Sequence, residues 1–331
     1  MNILSHSSSA EFIKKTAFEI GFDMVGCVDA SNSAYGTALN FYSEWISRGM
    51  HSEMEYLKNH NTIKSCPDNF LSDAQSVVVV GAIYASGSAA DYEKDDNTLK
   101  PLISKYAHGP DYHEIMEKKL NELIEKISDH LGGAHRLFVD RHPVMDRTWA
   151  TLGGLGWIGK NTCVINRKAG SFFFIGGFFS TLKINADRPA TDHCGRCRLC
   201  IDACPTHAIL EPKQTGLNRH VIQSDLCISY QTIENRGEIP SAIQNKMGAW
   251  VVGCDICQQV CPWNRQRGET MQPRQTWFKS QHSLASLTYE EGESLTASDW
   301  KSRVKGSAIS RLKYQQFIRN LKIAKKNSSS E

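Results

Sequence analysis

No apolar run in this sequence is long enough to cross a bilayer: the longest stretches, Val77 to Val80 and Phe172 to Phe179, stop far short of the ~20 residues a spanning helix needs. The opening residues, MNILSHSSSAEFIKK, lack the basic region, apolar run and small-residue cleavage site of a secretory signal. The expected setting is therefore a reducing cytoplasm, without membrane contact. Beyond two cysteine clusters there is no internal repeat. With 40% hydrophobic, 22% charged and 9% aromatic residues, the composition excludes disordered, collagen-like and coiled-coil chains. At 331 residues the chain can bury more than one core and needs no disulfide staples.

Against that background eleven cysteines require an explanation. Cys27, Cys66 and Cys163 are scattered and read as small buried hydrophobes. The other eight form Cys194-x2-Cys197-x2-Cys200-x3-Cys204-Pro205, an isolated Cys227, and Cys254-x2-Cys257-x3-Cys261-Pro262. The first run has bacterial ferredoxin spacing, in which three cysteines wrap one [4Fe-4S] cubane and the fourth ligates the other. Two intervening residues turn successive thiolates toward one metal core, while backbone amides can bond its sulfur atoms. The second run is one thiol short, and Cys227 completes it. We therefore expect cluster 1 on Cys194, Cys197, Cys200 and Cys261, and cluster 2 on Cys204, Cys227, Cys254 and Cys257. Two four-thiolate zinc sites are the alternative. Paired cubanes form an electron wire, and a wire requires a site where electrons do chemistry.

The first ~60 residues read as helices, and Ser76 to Tyr84 as a strand buried on both faces. The acidic stretch Ala89 to Asn97 reads as a surface loop. Asp111 to His130 is the clearest amphipathic helix, with Ile115, Leu120, Leu123, Ile124 and Ile127 on one side, ended by Gly132 and Gly133. Arg136 to Asp140 reads as a strand with Asp140 at its carboxyl end, where a side chain enters the crevice of an α/β layer or simply caps a turn. GGLGWIGKN (Gly153 to Asn161) has no βαβ unit with an acidic residue ~20 positions on, so it is a weak dinucleotide motif. The fold expected is an α/β domain over 1–187, a bacterial-type two-cluster ferredoxin-like domain over 188–268 and a helical basic C-terminal tail over 269–331. Between Trp300 and Asn327 stand nine cations and no acid: Lys301, Arg303, Lys305, Arg311, Lys313, Arg319, Lys322, Lys325 and Lys326. The net charge is only +3, so this is a concentrated patch, suited to phosphate polymers or merely a solvated helix face.

Several separate blocks together resemble the epoxyqueuosine reductases: KYAHGPDYH (Lys105 to His113), VDRHPVMDRTWATLGGLGWIGKNTCVIN (Val139 to Asn166), CGRCRLCIDACP, CISYQTIENRG (Cys227 to Gly237), GCDICQQVCPWN (Gly253 to Asn264) and GSAISRLKYQQFIRN (Gly306 to Asn320). The resemblance covers nearly the whole chain. It implies a cobalamin-binding catalytic domain ahead of the clusters, and a tRNA-modifying enzyme performing the last step of queuosine synthesis. Such an enzyme removes the epoxide oxygen of epoxyqueuosine at the wobble position of tRNAs for Asp, Asn, His and Tyr. Two electrons and two protons are consumed and water leaves. An external one-electron donor such as a flavodoxin or ferredoxin, and a monomeric state, are also implied.

By the same resemblance Asp140 corresponds to the proton donor, which requires a raised pKa. Asp146 is the competing carboxylate, expected to pair with Arg147 or a neighbouring cation. Lys64, Lys160, Thr162, Ser229 and Asp255 are carried over, with Asp140, as cofactor contacts. Asp140-Arg141-His142 begins the D-x-H-x-x-G motif of histidine-ligated corrinoids, but Met145 stands where the glycine belongs, so His142 is not a cobalt ligand. Lys64 and His108 replace arginines usual in the family, and the helical-repeat extension of some members is absent. Tail cations, with Arg265 and Arg267, are then the expected phosphate contacts. A reductive dehalogenase-like enzyme and a ferredoxin-type electron carrier are the competing functions.

Overall fold

The computed structural model describes residues 6–59, 64, 66–85, 100–265, 271–279 and 286–329. The loop expected over 89–97, and Arg267, lie outside the described residues. The N-terminal part runs α1 (His6–Ile20), β1 (Met24–Asp29), α2 (Ser33–Ser47), α3 (Tyr56–Asn59), β2 (Ser76–Ile83), β3 (Leu102–Ile103), α4 (Tyr112–Leu131), β4 (His135–Val139), α5 (Asp146–Leu152), β5 (Trp157–Ile158), β6 (Val164–Ile165) and β7 (Phe173–Ser180). Its main sheet has the order β1-β2-β7-β4. All three pairings are antiparallel, with Val78 opposite Cys27 on one side and Phe178 on the other.

Two points differ from the sequence reading. The first 60 residues are not all helical, because the short run MVGCVD forms edge strand β1. The sheet is antiparallel, so the rule placing ligands at the carboxyl ends of parallel strands does not locate Asp140. What does hold is the burial of β2 on both faces. Val78, Val80 and Ala82 join Phe174 and Phe178 against Ile13 and Ala17 of α1 and Met116, Leu120, Leu123 and Ile127 of α4. Val77, Val79 and Ile83 join Phe173 and Phe179 against Tyr35 of α2 and Trp149 of α5. Alternation thus feeds two helical layers, which is why the strand reads as a continuous apolar run. Gly177 permits the close approach of β7, since a Cβ there would lie 2.2 Å from the Val78 carbonyl oxygen.

The cysteine region contributes β8 (Ile209–Leu210), β9 (Val221–Ile222), α6 (Ile228–Ile233) and β10 (Trp250–Val252), followed by α7 (Tyr289–Ser294), α8 (Ala297–Arg303) and α9 (Tyr314–Ser328). The last segment is helical, as expected, and contributes to a core. Leu287, Trp300, Val304, Phe317, Leu321 and Ala324 build a core with Ile103, Val251 and Val252. Contacts cross the boundaries expected at 187 and 268. β10 pairs in parallel with β3. Arg274 N–H donates to Asp23 Oδ1 at 2.6 Å, and Trp277 meets Phe22 edge-on at 5.4 Å. Among the described residues no helix is long and apolar enough to cross a membrane.

Candidate active site and its cluster relay

Cys194, Cys197, Cys200 and Cys261 line one cavity of about 220 Å³, together with Lys160, His193 and Trp263. These are the four thiols expected on cluster 1, although Cys261 is distant in sequence. Donors point at them: Trp157 Nε1–H reaches Cys194 Sγ at 3.4 Å, and the amides of Trp263 and Asn264 face Cys261. Cys204, Cys227, Cys254 and Cys257 form a second set, with the Ala208 amide 3.3 Å from Cys204 Sγ and those of Ser229 and Tyr230 aimed at Cys227. Amides converging on sulfur suit thiolate-held cubanes. Burial pushes the Cys200 thiol up to about 11 and raises Cys227, so deprotonating these ligands depends on bound metal.

Three of the expected cofactor contacts make bonds within this relay. Lys160 Nζ donates to the carbonyls of Gly195 and Cys197 at 2.8 and 2.7 Å, stapling the cluster 1 loop. Asp255 is fully buried, accepting from Ser104 Oγ at 2.6 Å and from the Lys105 amide at 2.8 Å. It latches the segment before Tyr106 to the cluster 2 loop and offers no surface to a corrin. Ser229 is half-buried and bonds Cys227 through its backbone. The scattered cysteines also differ from one another: Cys27 is buried, Cys163 half-buried and Cys66 exposed, so the buried-hydrophobe reading fails for Cys66.

Asp140 lies immediately beyond β4. Tyr112 Oη donates to its Oδ2 at 2.7 Å, and His113 Nε2 stands 3.7 Å from the same oxygen. The carboxylate is nevertheless 62% exposed, as a side chain is at the floor of an open cleft. Helix α4 positions both partners. Asp111 caps it by accepting the His113 amide at 2.9 Å, and the same Oδ1 meets His113 Nδ1 at 2.7 Å. Tyr112 is clamped by stacking on Phe174, with ring centroids 4.0 Å apart and planes 5° from parallel.

The electrostatics reverse one expectation. Burial by itself would raise the Asp140 pKa, but the bonds from His113 and Tyr112 outweigh it and hold the carboxyl below its usual value. Asp140 is therefore an anion at rest. Burial opposes charge on His113 too, yet Asp111 and Asp140 push its pKa up to about 9. Asp146 goes the other way, raised by burial and by the Asp140 charge against the pull of Arg147. Its carboxylate accepts the Arg147 amide at 2.7 Å, while the Arg147 guanidinium donates to the Thr162 carbonyl at 3.0 Å.

Lys64 is buried with its Nζ 3.1 Å from Tyr42 Oη, and desolvation lowers its pKa to about 8. It feels Asp146, Arg147 and Asp140, which places it on the same cleft. Thr162 adopts φ +63°, rare for a β-branched residue, at the tip of the β5–β6 hairpin. The glycines before it allow close protein packing: a Cβ on Gly156 would lie 2.3 Å from the Ile165 carbonyl oxygen. His142 bonds back to the Val139 amide and meets Phe70 edge-on at 6.2 Å, away from any cobalt-ligand role. The sequence reading assigned no role to Tyr112 or His113, although the D-Y-H triplet opening a capped helix was visible.

Much of the C-terminal positive charge is used internally. Arg303 pairs with Glu291, Arg311 with Glu234 and Lys325 with Glu293. Arg319 donates to the carbonyls of Gln231, Asn235 and Gly237. Lys301, Lys305, Lys313, Lys322 and Lys326 remain exposed. Arg265 is exposed with its Nε on the Gln259 carbonyl.

Residues 193–264 match a family described as a 4Fe-4S double cluster binding domain, and residues 65–141 one described as epoxyqueuosine reductase QueG, DUF1730. An epoxyqueuosine reductase of Cellulophaga algicola is 39% identical over 96% of this chain and 98% of the relative. That of Pseudomonas aeruginosa is 37% identical over 97% of this chain and 86% of the relative. The structure of epoxyqueuosine reductase from Streptococcus thermophilus superposes with a TM-score of 0.79 at 26% identity, covering 99% of this chain and 82% of that one. A crystal structure of epoxyqueuosine reductase with an epoxyqueuosine-modified tRNA-Tyr stem loop shares the fold at 24% identity, with a TM-score of 0.83 over 96% of this chain and 81% of that one. With relatives this similar over nearly its full length, the chain belongs to the epoxyqueuosine reductase family.

Proposed function

We propose that Asp140 is the point of proton delivery in an enzyme that reduces epoxyqueuosine to queuosine at the wobble position of tRNA, with electrons entering at cluster 1 and leaving through cluster 2. The chain is an oxidoreductase of that family, and its cofactors are two [4Fe-4S] clusters and cobalamin. The observation that carries the site assignment is the Asp255 latch. It ties the cluster 2 loop to Ser104 and Lys105, directly before Tyr106, whose hydroxyl feels both Asp255 and Asp140. The thiols that would hold cluster 1 lie beside an exposed loop, with Arg196, Arg198 and Leu199 at the surface, where an external donor such as a flavodoxin or ferredoxin could reach a bound cluster.

The residues around Asp140 suit a corrin with peripheral amides. Lys64 and Arg147 supply donors, the Asp146 carboxyl can donate and accept, and the strained Thr162 turn borders the same cleft. When bound, the corrinoid supplies the strongly reducing centre that side chains lack, and the clusters recharge it. The protein's part is to seat the nucleoside with its epoxide oxygen over Asp140 and to exclude bulk water. The substrates on this reading are the tRNAs for Asp, Asn, His and Tyr, the working form is a cytoplasmic monomer, and phosphate contacts come from the exposed C-terminal lysines and Arg265.

The test is reconstitution with iron, sulfide and cobalamin, followed by assay on epoxyqueuosine-containing tRNA. Asp140→Ala should retain iron and corrinoid and lose turnover. Wild-type turnover in that variant removes Asp140 from the mechanism.

A further inference from the structure

A carboxylate held as an anion cannot by itself be the acid that a departing oxygen needs, so a proton must be brought to it. Two donors converge on Asp140 Oδ2, Tyr112 Oη at 2.7 Å and His113 Nε2 at 3.7 Å, while Oδ1 accepts no hydrogen bond among the described residues. The Tyr112 hydroxyl is a poor proton source, because burial and the Asp140 charge both favour its neutral form. His113 differs in kind. Its Nδ1 is anchored on Asp111 Oδ1 at 2.7 Å, its amide on the same oxygen at 2.9 Å, and its ring stacks on Tyr112 with centroids 4.0 Å apart. The ring is only 18% exposed and has a carboxylate beyond each nitrogen, so its preferred state is the doubly protonated imidazolium.

We propose that His113 is the positioning residue that reloads Asp140: clamped between Asp111 and Asp140, it passes its Nε2 proton to Oδ2 as Asp140 protonates the oxygen leaving the epoxide. This deepens the reading above and rests on it. In the transfer the His113 Nε2–H bond breaks and an Oδ2–H bond forms, leaving a neutral imidazole and a carboxylic acid. The acid then gives its proton to the oxygen freed when an epoxide C–O bond opens, and the carboxylate returns. No electron changes place at either residue; the two electrons belong to the established reduction. A small rotation closes the 3.7 Å gap to hydrogen-bond length. The charged and titratable groups facing this pair are Asp111 at the cap of α4 and Tyr112 within it, Tyr106 and Tyr56 beside them, Arg141 beyond Asp111, and Asp146, Arg147 and Lys64 from the far side of the cleft. Arg141 is taken up by Glu117.

The experiment follows the His113 ring by 15N NMR in holoenzyme with oxidised clusters, alongside the pH profile of kcat/KM on epoxyqueuosine tRNA. Expected are a midpoint near 9 and an alkaline limb that coincides with it. Asp111→Asn keeps the helix cap, since Asn caps as well as Asp, and should lower midpoint and limb together by about one pH unit or more. His113→Gln should retain iron, corrinoid and tRNA affinity, lose that limb, and turn over on the order of 100-fold more slowly. His113→Ala should regain part of the loss with added imidazole. An unchanged alkaline limb in His113→Gln, a ring midpoint near the ordinary 6.5, or a limb near 8 that moves with Lys64→Met overturns the proposal. Failure of the parent reading shows separately, as wild-type holoenzyme that leaves epoxyqueuosine intact, and it takes the proposal with it.

Discussion

Tyr112 Oη and Asp140 Oδ2 are joined by a 2.7 Å hydrogen bond, and the Tyr112 ring is locked between Phe174 and His113 with both centroid separations at 4.0 Å. The phenol thus selects one charge state of the carboxylate. Tyr112→Phe keeps the stack and removes the donor. A hydrogen bond to a charged group is worth about 1.5–3 kcal/mol, so the Asp140 pKa should rise by roughly one to two units. The midpoint of the Asp140 carboxyl, followed by 13C NMR in the holoenzyme, should move to higher pH by that amount, with iron and corrinoid contents unchanged. A carboxyl midpoint that stays in place disconnects Tyr112 from Asp140.

The grouping of thiols predicts a sharp contrast between two cysteines. Cys227 stands with Cys204, Cys254 and Cys257, and Cys227→Ser should lose roughly half of the iron, the share of one cubane of two. Cys163 lies within electrostatic reach of Cys257 and Cys261 but in neither set, and Cys163→Ser should keep full iron. Equal losses in the two variants break the partition.

Lys64 is a cation placed where folding pays for it. At an ordinary pKa of 10.5 in the unfolded chain and about 8 in the fold, both states are protonated below pH 8 and the folded one bears the whole desolvation penalty. Between those values the folded state has shed its proton and the unfolded state has not, so stability rises with pH. Lys64→Met should therefore stabilise corrinoid-free, cluster-loaded protein by roughly 3 kcal/mol at pH 7, and the gain should shrink to nothing above about pH 10.5. Denaturant titrations at both pH values measure it; a gain that does not vary with pH means burial does not govern this lysine.

Asn320 predicts how the C-terminal helix serves the clusters. It is fully buried in α9 and donates to the carbonyls of Thr232 and Val251 at 2.8 and 2.9 Å, tying the helix to α6 and β10. Asn320→Ala leaves two buried carbonyls unpaired, at about 2–4 kcal/mol in all. α6 begins next to Cys227, so thermal release of iron should occur at lower temperature in the variant. Unaltered iron release would confine the bond to holding the helix alone.

What the sequence disclosed depended on how local each signal was. Cysteine spacing is short-range, and even the remote Cys261 falls in the cluster 1 cavity because the ferredoxin pattern sends its fourth thiol across. β2 and α4 were legible because each has one dominant period. Strand β1 was not, since Gly26 and Cys27 weaken its pattern beside strong helices. The charge states at Asp140 were also hidden: they depend on Tyr112 and His113 reaching a residue 28 positions away in the chain, at Tyr112 Oη. The bonds of Lys160 and Asp255 to the cluster loops were hidden too, because sequence shows proximity to a motif but not which way a side chain turns.

The same limit applies to the nine C-terminal cations, and it yields a quantitative expectation for tRNA binding. Counted from sequence, all nine are candidates for phosphate. In the fold Arg303, Arg311 and Lys325 face carboxylates and Arg319 holds the α6 loop, whereas Lys301, Lys305, Lys313, Lys322 and Lys326 lie exposed on the helical layer. Each phosphate contact to single-stranded RNA contributes about 0.7 to the slope of log affinity against log salt. Replacing Lys301, Lys305 and Lys322 with alanine should therefore reduce that slope by about 2 and weaken all substrate tRNAs alike, because phosphate contacts carry no sequence information. Arg319→Ala, by contrast, should lower stability and leave the slope unchanged. A slope that falls with Arg319 and not with the three lysines would place the RNA on a different face.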